Sequence, residues 1–443
     1  MSLSRPNDLG AFWLPFTPNR DFGAHPRMLA RAEGMYYYDE GGRALIDACA
    51  GLWCCNAGHG RKQIAEAIAK AARELDFAPT FQFAHPAAFA LSQRLAAMAP
   101  EGLDHVFFVN SGSEAADAAL KIARAYFHKI GQGSRFRVIG RDKGYHGSTV
   151  AGISMGGIGN NRRHFGPLIP GTDDHLPLPY DPAAMRFTRG EPRNLERYAD
   201  ALESLVALHG AETIAAVIVE PFSGSGGVFG ASRSYFERLR AICDRYGILL
   251  IFDEVITGFG RMGHGFAAER YGVAPDIINF AKGVTSGAVP MGGTIVSGKI
   301  YGAFMENSGA AHNIELFHGH TYSAHPLACA AAMAALDIYR DEGLFERAQI
   351  LEKTLEDAVH ALKGAPFVAD IRNAGFAAGI ELEPDPAAPG RRGLEAIRRA
   401  FHEENMVLRV GGDTIALSPP LIAAESDIAR IVDGVRAVLS RLS

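Results

Sequence analysis

Cysteine is scarce. Cys49, Cys54, Cys55, Cys243 and Cys329 are the five in 443 residues. Their number is odd, and they have neither a disulfide framework nor a zinc-site rhythm, which suits a reducing compartment. The adjacent Cys54-Cys55 pair reads as small buried residues beside a pocket, with redox activity as the other reading. An excess of one charge is also missing. Forty-four Lys and Arg against 49 Asp and Glu leave a net charge of −5, so nothing favours nucleic acid or an anionic membrane surface. No run approaches the ~20 apolar residues of a membrane span. Residues Met1 to Arg20 carry Pro6, Asp8, Pro15 and Pro18 and lack the apolar stretch of a secretory signal. A cytoplasmic address is therefore the default expectation. His312, His318, His320 and His325 come without a helical HxxxH or a CxxC. A glycine-rich loop is a poor rigid cage, so no metal is expected there. The run Gly224 to Gly230 follows Glu220-Pro221 without opening a helix directly, so it is no dinucleotide fingerprint. Internal repeats and low-complexity tracts are absent.

The composition present, 48% hydrophobic and 21% charged, is that of a soluble globular enzyme with room for two or three lobes. Strand and helix patterns alternate through the middle of the chain. His105 to Val109, Phe136 to Gly140, Ile214 to Glu220, Ile248 to Asp253, Ile277 to Ala281 and Gly293 to Ser297 read as strands. Ala115 to His128 and Ser232 to Tyr246 read as helices. Continuous apolar strands separated by helices predict an α/β fold with a mainly parallel sheet covered on both faces. Its ligand would sit beyond the carboxyl ends of the strands, where Asn110, Glu220 and Asp253 fall. The Pro/Gly-rich stretch from Gly166 to Pro192 reads as a surface excursion. After about residue 326 the pattern changes to long amphipathic helices, Leu327 to Tyr339 and Leu344 to Leu362, with short strands at Phe376 to Leu382 and Thr414 to Leu417. The expected division is residues 1–60 as the N-terminal part of a small lobe, 61–325 as a large domain and 326–443 as a C-terminal small α+β domain.

Three features carry chemistry. Ser111-Gly112-Ser113-Glu114 has the spacing of a capping box. It reads either as a well-capped helix or as an anion site, because the helix would aim free amides and its positive end into the crevice. Asp253 closes an otherwise apolar strand, and an unpaired buried carboxylate is costly, so it needs a partner or a cleft. Glu254 alternates to the opposite face, and Val255 returns to the face of Asp253. Lys282 follows an apolar strand and precedes Gly283. Desolvation there would lower its basicity and make it an imine-former and proton carrier. Tyr145-His146-Gly147 could stack an aromatic ring on a flat ligand, although a lone His146 reads first as a satisfied hydrogen-bonding residue. A lysine, a strand-end aspartate and a phosphate cup are together what pyridoxal phosphate requires of a protein.

With these pieces in order, the chain resembles the class III aminotransferases over nearly its whole length. The most specific stretch is Leu250 to Arg261 followed by Ala281-Lys282-Gly283. Gly51-Leu52-Trp53, Asn110 to Ala116, Arg261-Met262-Gly263, Thr321 to Pro326 and Gly411 to Thr414 support it, and the ω-amino acid:pyruvate branch is the most similar. The resemblance implies the pyridoxal-phosphate-dependent transferase fold of type I, with a seven-stranded sheet, a homodimer or dimer of dimers, and active sites at the subunit interface. It implies that Lys282 is the Schiff-base lysine and that Asp253 binds the pyridine nitrogen, supported by Glu220. Ser111, Gly112 and Ser113 would cup the phosphate, and Tyr145 and Val255 would sandwich the ring. His146 and Ile256 would complete the cofactor site, and Thr321 would reach the phosphate of the neighbouring subunit. Arg409 would bind the keto-acid carboxylate, with Trp53 and Phe16 walling the substrate pocket. Ornithine and γ-aminobutyrate aminotransferases carry a second glutamate that pairs with this arginine, but here Ser225 stands at that position. At His320 close relatives usually have tyrosine.

The activity implied is transfer of an amino group from a β-alanine-like ω-amino acid or primary amine to pyruvate. Taurine, a diamine or a polyamine are alternative donors. Two rivals remain: another pyridoxal-phosphate reaction on the same scaffold (aminomutase, racemase or decarboxylase), and a non-catalytic cofactor-binding sensor. The absence of a basic patch and the complete lysine–aspartate–phosphate set disfavour the sensor.

Overall fold

A computed structural model describes residues 9–443. Its centre is a seven-stranded sheet made of β1 (Leu103–Val109), β2 (Arg137–Arg141), β3 (His175–Leu176), β4 (Ile214–Val219), β5 (Leu249–Asp253), β6 (Ile277–Phe280) and β7 (Gly292–Ser297). The spatial order is β1-β7-β6-β5-β4-β2-β3. Strands β2 to β6 run parallel. Strand β7 is antiparallel to both β6 and β1, so the chain returns from β6 through the short connection that carries Lys282.

Every residue of β4 and β5 is buried, because helices cover both faces. Leu250 and Phe252 pack with Phe236 and Leu239 of helix Arg233–Tyr246. Leu249 and Ile251, pointing the other way, pack with Ala116, Ala119 and Ile122 of helix Gly112–Lys129. This is the period-two alternation of a strand between two apolar layers. The stretch read as a surface excursion supplies the seventh strand, β3. It is two residues long and is held by backbone pairing of His175 with Gly140 and Leu176 with Arg141, which leaves no apolar period to read.

Two four-stranded sheets lie outside this layer. Arg31–Glu33, Tyr36–Tyr38 and Ala44–Asp47 form one, completed by Met406–Val407 running parallel to Ile46 and Asp47. The other joins Val368–Asn373, Ala378–Leu382, Thr414–Leu417 and Arg409–Gly411. The two amphipathic patterns are helices Pro326–Asp341 and Leu344–His360. No described helix is long and apolar enough to cross a membrane.

Candidate active site

One cleft at the carboxyl ends of the parallel strands is lined by Gly112, Ser113, Tyr145, His146, Gly147, Glu220, Asp253, Val255, Ile256 and Lys282. Five segments far apart in sequence meet here because each follows a strand that ends at the same edge of the sheet.

The first is the turn after β1. Ser111 caps helix Gly112–Lys129, its Oγ accepting from the Glu114 amide at 3.1 Å. The Glu114 carboxylate reaches back one residue beyond the cap and accepts from the Asn110 amide at 2.6 Å. This leaves the amides of Gly112 and Ser113 without a carbonyl of the helix to bond. The turn is crowded: a Cβ on Gly112 would lie 2.9 Å from Cγ1 of Val255. The Ser113 hydroxyl accepts from the Ser148 amide at 3.0 Å, and so keeps its own proton to donate into the cleft. Gly147 has φ +105°, and a Cβ there would meet the Ser113 Oγ at 2.3 Å. Small residues, free amides and an orientable hydroxyl at a helix N-terminus are what a phosphate needs.

Asp253, 4% exposed, closes β5. Its Oδ2 lies 2.7 Å from Nδ1 of His146, and its Oδ1 accepts from the Val255 amide at 3.2 Å. The partner required of this buried carboxylate is thus a histidine, itself 1% exposed. His146 Nε2 is buried with no hydrogen-bond partner among the described residues. Glu220 at the end of β4 accepts from the Tyr145 amide at 3.0 Å. Burial pushes its carboxyl up to about 7, with His146 opposing and Asp253 reinforcing the shift. Arg141, not singled out from sequence, ends β2 and donates from Nη2 to the Glu220 carbonyl at 2.7 Å and the Ser223 hydroxyl at 2.9 Å. The signal for it was available: like Asp253, it is a charge at the end of an apolar strand.

Lys282 opens a short 3₁₀ turn, Lys282–Thr285, with φ +48°. Such a conformation is strained for a side-chain-bearing residue and marks functional sites. Desolvation lowers its pKa, and the charges of Asp253, Cys54 and Glu220 oppose that shift. Glu254 faces away, as strand alternation requires. Its carboxylate accepts from the amides of Ala267 and Ala268 at 2.6 and 2.8 Å and from the Thr257 hydroxyl at 2.8 Å.

The remaining sequence-derived residues lie outside this lining. Ser111 acts through the cap. Thr321 is exposed. Trp53 is 3% exposed and its ring centroid is 6.2 Å from that of Phe222. Phe16 is 69% exposed. Arg409 sits on an outer strand, half-buried, and its guanidinium makes no hydrogen bond or ion pair among the described residues. His320 Nδ1 lies 3.9 Å from Glu114 Oε1, so it touches the back of the anion turn.

An anion turn, a strand-end carboxylate and a desolvated lysine converge on one cleft, a donor set that fits pyridoxal phosphate. The class-III aminotransferase family profile matches residues 19–439. An omega-aminotransferase of Caulobacter vibrioides is 55% identical, covering 98% of each chain. A beta-alanine–pyruvate aminotransferase of Pseudomonas aeruginosa is 46% identical, covering 98% of this chain and 97% of that one. Among solved structures, a PLP-bound amine transaminase from an uncultivated Pseudomonas species superposes with a TM-score of 0.90 at 37% identity, over 99% of this chain and 100% of that one. The chain belongs to the class III aminotransferases, enzymes that use pyridoxal phosphate.

Proposed function

We propose that this enzyme moves an amino group from a β-alanine-like ω-amino acid or a primary amine to pyruvate, in two half-reactions at one site. The observation that carries the reading is the half-buried Arg409, which has no acidic partner among the described residues. Ser225 occupies the position of the masking glutamate of other class III enzymes, and its carbonyl lies 3.6 Å from where a Cβ of Gly411 would stand, beside the Arg409 strand. An unmasked arginine receives a carboxylate in one half-reaction. It leaves room for an uncharged group in the other. Taurine and diamines or polyamines remain alternative donors. The beta-alanine–pyruvate aminotransferase relative supports the pyruvate-using branch.

Pyridoxal phosphate, when bound, supplies an electrophilic aldehyde carbon and a ring that acts as an electron sink. The chain's own residues do the rest. Gly112 and Ser113 amides and the Ser113 hydroxyl would hold the phosphate, with Ser111 shaping the turn through its cap. Asp253, oriented by His146, would present its carboxylate to the ring nitrogen, with Glu220 supporting that pair. Tyr145, Val255 and Ile256 line the cleft and would bracket the ring. Lys282 Nζ would hold the cofactor aldehyde in the resting enzyme, and its lowered basicity suits it to take a proton from the donor carbon and return it. Trp53 and Phe16 wall the substrate space.

A homodimer, alone or paired into a tetramer, completes the site in this reading. Phe81, Phe317 and Tyr322 are 58%, 86% and 58% exposed and flank the exposed Thr321, an aromatic surface typical of an interface. Thr321 would reach the partner's phosphate. The same reading divides the chain at about residues 60 and 325. Pairing of Ala44–Asp47 with Met406–Val407 supports placing the N-terminal segment with the C-terminal lobe. A cytoplasmic location fits the reduced cysteines.

The test is spectroscopic and stoichiometric. The visible band of the loaded enzyme bleaches with β-alanine and returns with pyruvate, with one alanine formed per donor consumed. A band that bleaches with no amine from a panel including taurine and a diamine, or donor consumption without alanine, defeats the reading.

A further inference from the structure

The Cys54-Cys55 pair has no part in the mechanism above, yet the fold arranges it deliberately. The two sulfurs lie 3.8 Å apart. The segment is kinked, with Gly51 at φ 65° and Trp53 at φ 64°, and both cysteines remain partly exposed. Cys49 and Cys243 are instead buried, and burial pushes their thiols up to about 12. Both sulfurs of the pair face the end of the Lys282 loop: a Cβ on Gly287 would lie 3.0 Å from Cys55 Sγ and 3.1 Å from Cys54 Sγ. The Gly287 amide in turn donates to the Lys282 carbonyl at 3.3 Å. On the other side, a Cβ on Gly51 would come 3.2 Å from Cys55 Sγ. Two glycines therefore clear the space around two touching sulfurs. The thiols also differ. The hydrogen bond between the two sulfurs lowers Cys54, while that same contact and burial push Cys55 up. Cys54 is thus the more easily ionised of two sulfurs in contact, which suits it to attack and Cys55 to resolve.

We propose that Cys54 and Cys55 form a hydroperoxide-reactive dithiol that closes reversibly to a disulfide between adjacent residues, against the loop that carries Lys282. In the first step the Cys54 thiolate attacks a peroxide oxygen. The S–O bond forms, the O–O bond breaks, and the leaving oxygen takes a proton from solvent to give an alcohol or water. In the second, the Cys55 sulfur attacks the Cys54 sulfur. The S–S bond forms, the S–O bond breaks, and hydroxide leaves with the Cys55 proton as water. Two thiols are oxidised by two electrons and one hydroperoxide is reduced. The inference does not rest on the identity of the amine donor.

The experiment uses the cofactor-loaded enzyme, hydrogen peroxide and a maleimide quench, read by peptide mass spectrometry. Expected is a loss of two hydrogens on the peptide that holds both cysteines, complete loss of its maleimide uptake, and recovery of both with dithiothreitol. In Cys55→Ser the reaction stops at a dimedone-trapped sulfenic acid on Cys54, and in Cys54→Ser the Cys55 thiol stays maleimide-reactive. Full maleimide uptake by the treated wild type overturns the proposal. So does oxygen addition without ring closure, or a disulfide joining two chains. The wild-type readout stands even if a variant fails to fold.

Discussion

Two buried acids, adjacent in sequence, show how far a single residue's environment decides its role. Asp253 faces the cleft and is paired with His146. Glu254 faces a helix start, and burial pushes it from 4.5 up to about 7 despite its backbone donors. The folded state therefore holds the Glu254 proton more tightly than the unfolded chain does. Stability should fall as pH rises from about 4.5 to about 7, by at most about 1.4 kcal/mol per pH unit for one proton. Glu254→Gln should flatten that part of the melting-temperature profile. An unchanged slope would assign the linkage to another group, with Glu220 next in line. Lys282→Ala should cost at least about 10³-fold in kcat, since one group is asked to anchor and to move the proton. Alanine formation from pyruvate measures it, and ordinary turnover would remove Lys282 from its role. The types and places of these residues were legible in sequence, because a charge ending an apolar strand must be accounted for. The His146–Asp253 pair was not, since 107 residues separate the partners.

Among the elements, the turn after β1 does the most. Its Ser-Gly-Ser-Glu spacing predicted the capped helix, and the helix begins where that spacing puts it. The finer expectation differs: Glu114 bonds the Asn110 amide, not that of Ser111. That tightens the strand-to-turn junction as well as the helix start. Ser111→Ala should lose about 1 kcal/mol of stability, read by denaturant unfolding of the apo-protein. Gly112→Ala should act differently, because the new Cβ meets Val255 at 2.9 Å. Because the clash lies within the protein, the apo-protein should itself unfold at a lower midpoint, and cofactor affinity should fall at least about tenfold, a loss of ~1.4 kcal/mol in binding. Cofactor titration followed by absorbance decides it, and unchanged affinity would mean that the phosphate sits elsewhere. The weakest sequence signal was also at this scale. Strand β3 is fixed by backbone pairing to β2, and two residues carry no periodicity.

For the whole molecule, the question is what the lobes do to each other. Arg409 stands on a strand of the outer sheet, near Ser225 and remote in sequence from Lys282. Arg409→Ala should raise the KM for pyruvate about 10–100-fold, the worth of a charged hydrogen-bonded contact, and spare uptake of a carboxylate-free amine. Equal loss for both substrates would contradict its assignment. The aromatic surface around Thr321 makes a second prediction at this scale. Phe317→Glu should weaken self-association in sedimentation and release cofactor with it. A monomer that retains cofactor fully would mean that each chain builds its phosphate site alone.

By itself, the sequence determined the mainly parallel sheet and the capped helix after β1, and it singled out a lysine, an aspartate and an anion turn as candidates. Each of these is a local constraint: an apolar period, a capping spacing, or a charge that cannot be buried unpaired. Tertiary structure alone decided which of them meet. Parallel strands bring their carboxyl ends to one edge whatever their separation along the chain, so residues 112, 146, 220, 253 and 282 line one cleft. It likewise decided that Arg409 has no acidic partner among the described residues and that the Cys54 and Cys55 sulfurs turn toward the Lys282 loop. Those outcomes depend on how lobes pack, and packing leaves no periodic trace in the sequence.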